Sequence, residues 1–212
     1  MKTIIFFILL ITSSLFYGQT TKDLFKSGET RINWLGIDYS HVKLVGNFSH
    51  FAEAGEQSIS EIQETYFPAW NLLVINEASK YDVKGMLRKK EIFYDIDMVM
   101  ALNDNADLSD ASTYNPPHYT AEQIKGFVDA YKFDKKEGIG VVFIAECLSK
   151  SGGEAFYHFV AINLSTNEIL LQERLRGEPR GFGLRNYWAG SVYDVIKKIK
   201  QNKYNSWKRK SK

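Results

Sequence analysis

The densest chemistry in the chain lies in GEPRGFGLRNYWAGS, residues 177–191. Arg176, Arg180 and Arg185 cluster about Gly177, Gly181 and Gly183, and Asn186 is of a type that caps helix N-termini. Free amides at such a terminus carry partial positive charge, and guanidinium forks bond phosphate or carboxylate in pairs. The pattern reads either as an anion or partner clasp or as a tight corner between a strand and a helix. No Gly-Lys-Ser/Thr of a phosphate-binding loop follows, and glycines suffice for a sharp turn, so the corner reading takes precedence. Tyr187 and Trp188 read as core anchors.

Two further groups have acid–base types at close spacing. Asp38 and His41 stand at the end of a first strand, a place where α/β sheets often bind ligands. Asp95 and Asp97 fall on one face of an alternating segment, ~6–7 Å apart, the spacing of a carboxylate pair or a cation site. Each has a plainer reading, a local hydrogen bond for the first and a solvated or ion-paired stripe for the second. His158 alternates with Phe156 and Val160 and reads as a packed histidine, and the only cysteine, Cys147, reads as a buried, inert thiol that rules out an intramolecular disulfide. No metal-ligand spacing, cofactor fingerprint or Gly-x-Ser-x-Gly elbow occurs, so no catalytic residue, metal or cofactor is assigned.

The elements that must position these groups follow from periodicity. The first strand is expected near Asn33–Tyr39. Ser58 and Glu61 form a capping box before a helix that Pro68 interrupts, and AWNLLVINEASKY continues as a buried helix, with a strand at 72–76 as the competing reading. Asp82 caps a short helix. EIFYDIDMVMAL, residues 91–102, alternates strictly and reads as a strand. Thr120 and Gln123 form a second capping box. GIGVVFIAECL is apolar on both faces from Val141 to Ala145, as a central strand is. SGG at 151–153 and STNE at 165–168 are short turns, which imply an antiparallel meander, and a final helix buries Trp188, Val192, Val195, Ile196 and Ile199. The fold class expected is α/β, β-α-β-α-β-β-β-α, with one mixed sheet of about five strands and packed helices.

Composition sets the frame around that domain. MKTIIFFILLITSSLFYGQT has Lys2, an apolar run over Ile4–Ile11 and then small polar residues, the layout of a secretory signal over residues 1–18. The run is short of the ~20 residues of a spanning helix, so a mature domain of residues 19–212 with no transmembrane segment is expected. The last sixteen residues carry eight basic side chains and no acid, which leaves a net acidic body with a basic end. That end reads as a solvated helix terminus whose lysines complement the helix dipole, and no nucleic-acid partner is expected.

WLGIDYSHVKLVGNF, YFPAWN and GFGLRNYWAGSVYDVIKKIK resemble segments of uncharacterised exported proteins of Bacteroidetes. That resemblance implies a periplasmic or secreted location. The element order is similar to small periplasmic modules such as the N-terminal domain of the Tol propeller protein and a domain of the curli secretion channel, and it implies assembly and interaction. Two functional readings stand at this point. One is a non-catalytic exported module binding a protein or envelope component through the arginine–glycine corner or the basic end. The other is a hydrolase of an anionic substrate using Asp38 and His41, or Asp95 and Asp97.

Overall fold

The computed structural model describes residues 19–26, 30–48, 50–51, 55–56, 58–133 and 136–212, so the expected signal segment lies outside the described residues. The chain opens with α1 (Thr21–Leu24), β1 (Ile32–Asp38), β2 (Lys43–Val45), β3 (His50–Phe51) and β4 (Gly55–Glu56). α2 (Ile59–Glu61) runs through a π-helical turn at Ile62–Tyr66 into α3 (Phe67–Asn76), followed by α4 (Val83–Met86). Then come β5 (Phe93–Tyr94), α5 (Asp97–Asp104), β6 (Ser112–Thr113) and α6 (Ala121–Asp129). β7 (Ile139–Ser149), β8 (Glu154–Asn163) and β9 (Glu168–Gly177) precede α7 (Gly183–Lys198), a second π turn at Ile199–Lys203 and α8 (Tyr204–Lys210).

The fold is mixed α/β. One sheet holds seven strands, not about five. β1 and β2 both lie parallel to β7, beside its first and last parts, with β5 and β6 outside them. On the other side β8 and β9 add antiparallel. The two-stranded β3–β4 pair stands apart. β2, β5 and β6 are two or three residues long, too short for a period of two to register in a sequence.

Alternation along β7 splits the interior in two. Val141, Phe143 and Ala145 join Trp34, Tyr157 and Phe159 in a core covered by α3, α4, α7 and α8. Val142 and Ile144 join Leu35, Val160 and Ile162 in a second core covered by α6 through Ile124 and Val128. The capping boxes form as their residue types require: Glu61 N–H donates to Ser58 Oγ, and Gln123 N–H to Thr120 Oγ1. Pro68 sits in the first turn of α3, where a missing N–H costs nothing.

The strand expected at 91–102 is a correction. Only Phe93 and Tyr94 pair as strand, with β1, and Asp97–Asp104 is helix. α5 lies along the edge of β1 and touches both cores, Met100 one and Val99, Met98 and Leu102 the other. Apolar residues around most of its girth mimic the alternation of a strand.

That placement of α5 answers a backbone problem. β1 is buried along its whole length, and β5 pairs with it only at Asn33 and Trp34. Beyond them two buried asparagines stand in for a strand. Ile37 N–H donates to Asn71 Oδ1 (2.7 Å), and Ile37 C=O accepts from Asn71 Nδ2 (3.0 Å) and Asn103 Nδ2 (2.9 Å). Tyr39 N–H donates to Asn103 Oδ1 (2.6 Å). Gly36, at φ 103°, sits in the bulge that turns these groups outward, where a Cβ would stand 2.6 Å from Asn71 Oδ1. Asn71→Ala leaves the Ile37 amide buried without its acceptor and is expected to lower the unfolding free energy by about 3 kcal/mol in urea titration. Asn105→Ala, at the exposed end of α5, is expected to cost under about 1 kcal/mol, and equal losses in the two variants would contradict the assignment.

Candidate functional site

The polar groups in the second core form one seam across the sheet. In register, Asp38 of β1 lies beside Ile144 of β7, Ile144 beside His158 of β8, and His158 beside Arg174 of β9. Glu146 follows Val142 and Ile144 onto this face by alternation and is the extra residue of a bulge in β7 between Ala145 and Cys147. Asp38 and His158 are thus two strand spacings apart, roughly 10 Å.

Glu146 is fully buried and saturated. It accepts from Arg174 through Nε (2.9 Å) and a terminal nitrogen (2.5 Å), from the Tyr119 amide (3.1 Å), and bonds His158 Nε2 (2.8 Å). The Arg174 guanidinium carbon sits over Phe156, 3.6 Å from the ring centre. Burial pushes the Glu146 carboxyl up, but the bonds from His158, Arg174 and the Tyr119 amide outweigh it and bring the group down to about 2. His158 Nδ1 is buried with no hydrogen-bond partner among the described residues. Burial, aided by the charge of Glu146, raises the Cys147 thiol to about 12, so it is a poor nucleophile.

Asp38 is the second fully buried carboxylate. It accepts from the Ser40 amide (2.8 Å) and Ser40 Oγ (2.6 Å) on one oxygen and from the Tyr131 hydroxyl (2.5 Å) on the other. Burial first, then the Asp38 charge, raises the Tyr131 phenol well above its usual range and keeps it a donor. His41 does not bond Asp38. Its ring stacks on Phe127 with centres 3.7 Å apart, and burial lowers its pKa although the Asp38 charge opposes this. Tyr119 ties the two halves of the seam, its amide on Glu146 and its hydroxyl on the His41 carbonyl (2.6 Å).

The other expected pairs are dispersed. Asp95 follows β5 and pairs with Lys136 (2.6 Å), while Asp97 opens α5, so the two share no strand face. The arginine–glycine corner is a tight turn. Arg176 pairs with Glu154 (2.5 Å) and Arg180 with Glu178 (2.9 Å), so carboxylates already occupy two of the three forks. Asn186 is not the cap: α7 starts at Gly183 with Phe182 in the cap position, and Asn186 Nδ2 donates back to the Phe182 carbonyl (3.2 Å). Gly181 and Gly183, at φ 122° and 75°, turn the chain earlier than a polar cap would. Arg185 is exposed on α7, which packs on the first core, opposite the face that holds Asp38. Tyr204 and Trp207 of the basic end are buried, and Trp207 Nε1 and Lys203 both donate to Glu173.

Among the described residues no three His, Cys, Asp or Glu side chains converge as a metal site, and no helix is long and apolar enough to cross a membrane. Sequence reasoning passed over Glu146 because it stands alone in an apolar run. The signal that finds it is the set of turns at 151–153 and 165–168, which brings Glu146, His158 and Arg174 onto adjacent strands.

The depressed pKa of Glu146 sets a pH dependence. A folded value near 2 against an unfolded value of about 4.3 means that its contribution is full above roughly pH 5 and is lost as pH falls toward 2. The stability gap between the wild type and Glu146→Gln is expected to be about 3 kcal/mol at neutral pH and to close across that window in urea titrations. A gap that stays constant down to pH 2 would contradict the ionic role. No protein-family model matches the chain, and neither does any curated protein or solved structure.

Proposed function

We propose that this protein is an exported, non-catalytic interaction module of the cell envelope, and that it takes its partner at the corner over residues 177–186. The observation that carries the reading is Phe182, which is 72% exposed at the tip of a loop that is itself pinned. Glu178 N–H donates to Asp194 (2.9 Å) and Arg180 N–H to the Tyr187 carbonyl (3.1 Å). Gly177 and Gly190 let the loop lie flush on α7: a Cβ on Gly177 would stand 2.5 Å from the Ser191 carbonyl oxygen, and one on Gly190 2.2 Å from that of Arg180.

A large apolar side chain carried into water on a pinned backbone is a preorganised anchor, since little backbone freedom remains to be lost on binding. Its full burial is worth about 1.5–3 kcal/mol. Arg180 and Arg185 flank it and supply the polar rim that protein interfaces use. The saturation of Asp38 and Glu146 by internal donors supports binding over catalysis, because neither has an oxygen without a partner to take a substrate proton. The resemblance of three segments to exported proteins supports the compartment.

The test is a photo-crosslinking residue placed at 182 in the native envelope, with Glu122 on the far side of the sheet as control. An adduct with one macromolecule at 182, absent at 122 and competed by the unlabelled wild type but not by Phe182→Ser, is expected. Phe182→Ser should leave the thermal midpoint within about 2 °C, since the side chain is mostly in water. No adduct at 182, or equal adducts at both positions, would contradict the reading.

A further inference from the structure

A groove of about 640 Å³ opens on the α6 side of the sheet, at the C-terminal end of β1. Met98, Ala101, Leu102 and Ala130 supply apolar walls, and Ser40 and His41 line it from the sheet. It is remote from the corner, which lies across the sheet on α7, and it owes nothing to the interaction reading.

Its charge is one-sided. The C-terminal ends of three elements meet there. Ser40 and His41 follow β1, Asn105, Ala106 and Asp107 follow α5, and Ala130 is the C-cap of α6. The C-terminus of a helix carries partial negative charge. Gln63 Nε2 bonds the carbonyls of Asn103 (2.8 Å) and Ala106 (2.9 Å) at the end of α5, but as a neutral donor it brings no cation. Behind Ser40 lies the Asp38 carboxylate, all of whose hydrogen-bond partners are neutral: the Ser40 amide, the Ser40 hydroxyl and the Tyr131 hydroxyl. Ser40 gives its proton to Asp38, so its lone pairs are what remain for a ligand. Asp107 is at the rim, and Lys132, exposed at the rim, is the one permanent cation among the lining residues. Burial lowers the His41 pKa against the opposing charge of Asp38, and its ring lies flat on Phe127.

We propose that this groove is a binding site for a small organic cation, an amine carried on an apolar body. The body lies against Met98, Ala101, Leu102 and Ala130. The ammonium sits toward Ser40, where it takes the serine lone pairs and the field of the buried Asp38 carboxylate. A hydrogen-bond donor in the ligand suits this end and a carboxylate does not, since an anion would meet Asp38, Asp107 and two helix C-termini, opposed by Lys132 and by Lys43, whose charge reaches His41 but is paired with Asp110 (2.8 Å).

Three probes that share a phenethyl body and differ in the head group decide it: 2-phenylethylamine, 2-phenylethanol and 3-phenylpropionate, titrated against residues 19–212 by NMR with the His41 ring and Met98 methyl signals as reporters. The amine is expected to bind at least about tenfold more tightly than the carboxylate, with the alcohol between them, and to weaken several-fold as salt rises from about 0.02 to 0.5 M. Ala101→Trp fills the groove from an exposed position. It is expected to abolish amine binding at unchanged thermal midpoint, and Asp107→Asn to weaken it by about two- to threefold. Carboxylate binding equal to or tighter than the amine, amine binding that persists in Ala101→Trp, or no shift with any probe at about 10 mM would each overturn the proposal.

Discussion

A buried strand edge must find partners for its N–H and C=O groups, and β1 finds them in two asparagines. From Ile37 onward no strand among the described residues flanks β1 on the side away from β7. Asn71 and Asn103 supply the amide and carbonyl that a neighbouring strand would have supplied. Leaving these groups bare would cost several kcal/mol each in such a site. Because the two asparagines belong to α3 and α5, the same bonds fix both helices against the sheet.

What those helices then position is the corner and the groove proposed as binding surfaces. α3 carries Trp70, whose indole N–H donates to the Arg185 carbonyl in the first turn of α7 (2.9 Å). That contact registers α7, and with it the Gly181–Gly183 turn that holds Phe182 out. α5 carries Met98, Ala101 and Leu102, one wall of the groove, and its end is held by Gln63. The corner and the groove therefore lie on opposite sides of the sheet yet depend on one pair of amide clamps. The Glu146 network fixes a different part, binding β7, β8 and β9 to the lead-in of α6. Its strength comes from geometry around a buried carboxylate, where several charge-assisted bonds offset the cost of burial.

Features whose cause is local were legible in the residues. Ser58, Asp82 and Thr120 cap the helices that follow them, each within four residues of its partner. The turns at 151–153 and 165–168 announce β7, β8 and β9, and the two-faced apolar run of β7 marks a strand covered on both sides. The stripe Trp188, Val192, Val195, Ile196 and Ile199 is the buried face of the last helix. Features whose cause is distant were not. Asn71 and Asn103 act on a residue 34 and 66 positions away, and nothing near them in the chain marks either as a strand surrogate. α5 reads as a strand because it is buried against two cores at once. Asn186 has the type of a cap, but two glycines begin the helix before it. Of the acid–base residues singled out, His41 lines the groove as a stacked ring and Asp38 lies behind it as a buried acceptor, so the two are not a bonded pair.

The account rests on the Ile37 amide being closed by Asn71 throughout the native state. Native-state hydrogen exchange at that single amide tests it most directly. Ile37 N–H is predicted to exchange only through global unfolding, with the same protection free energy as the β7 amides, and to fall to a lower, local opening energy in Asn71→Ala while β7 keeps its own level. Rapid exchange of Ile37 in the wild type, as at a frayed strand end, would contradict the account.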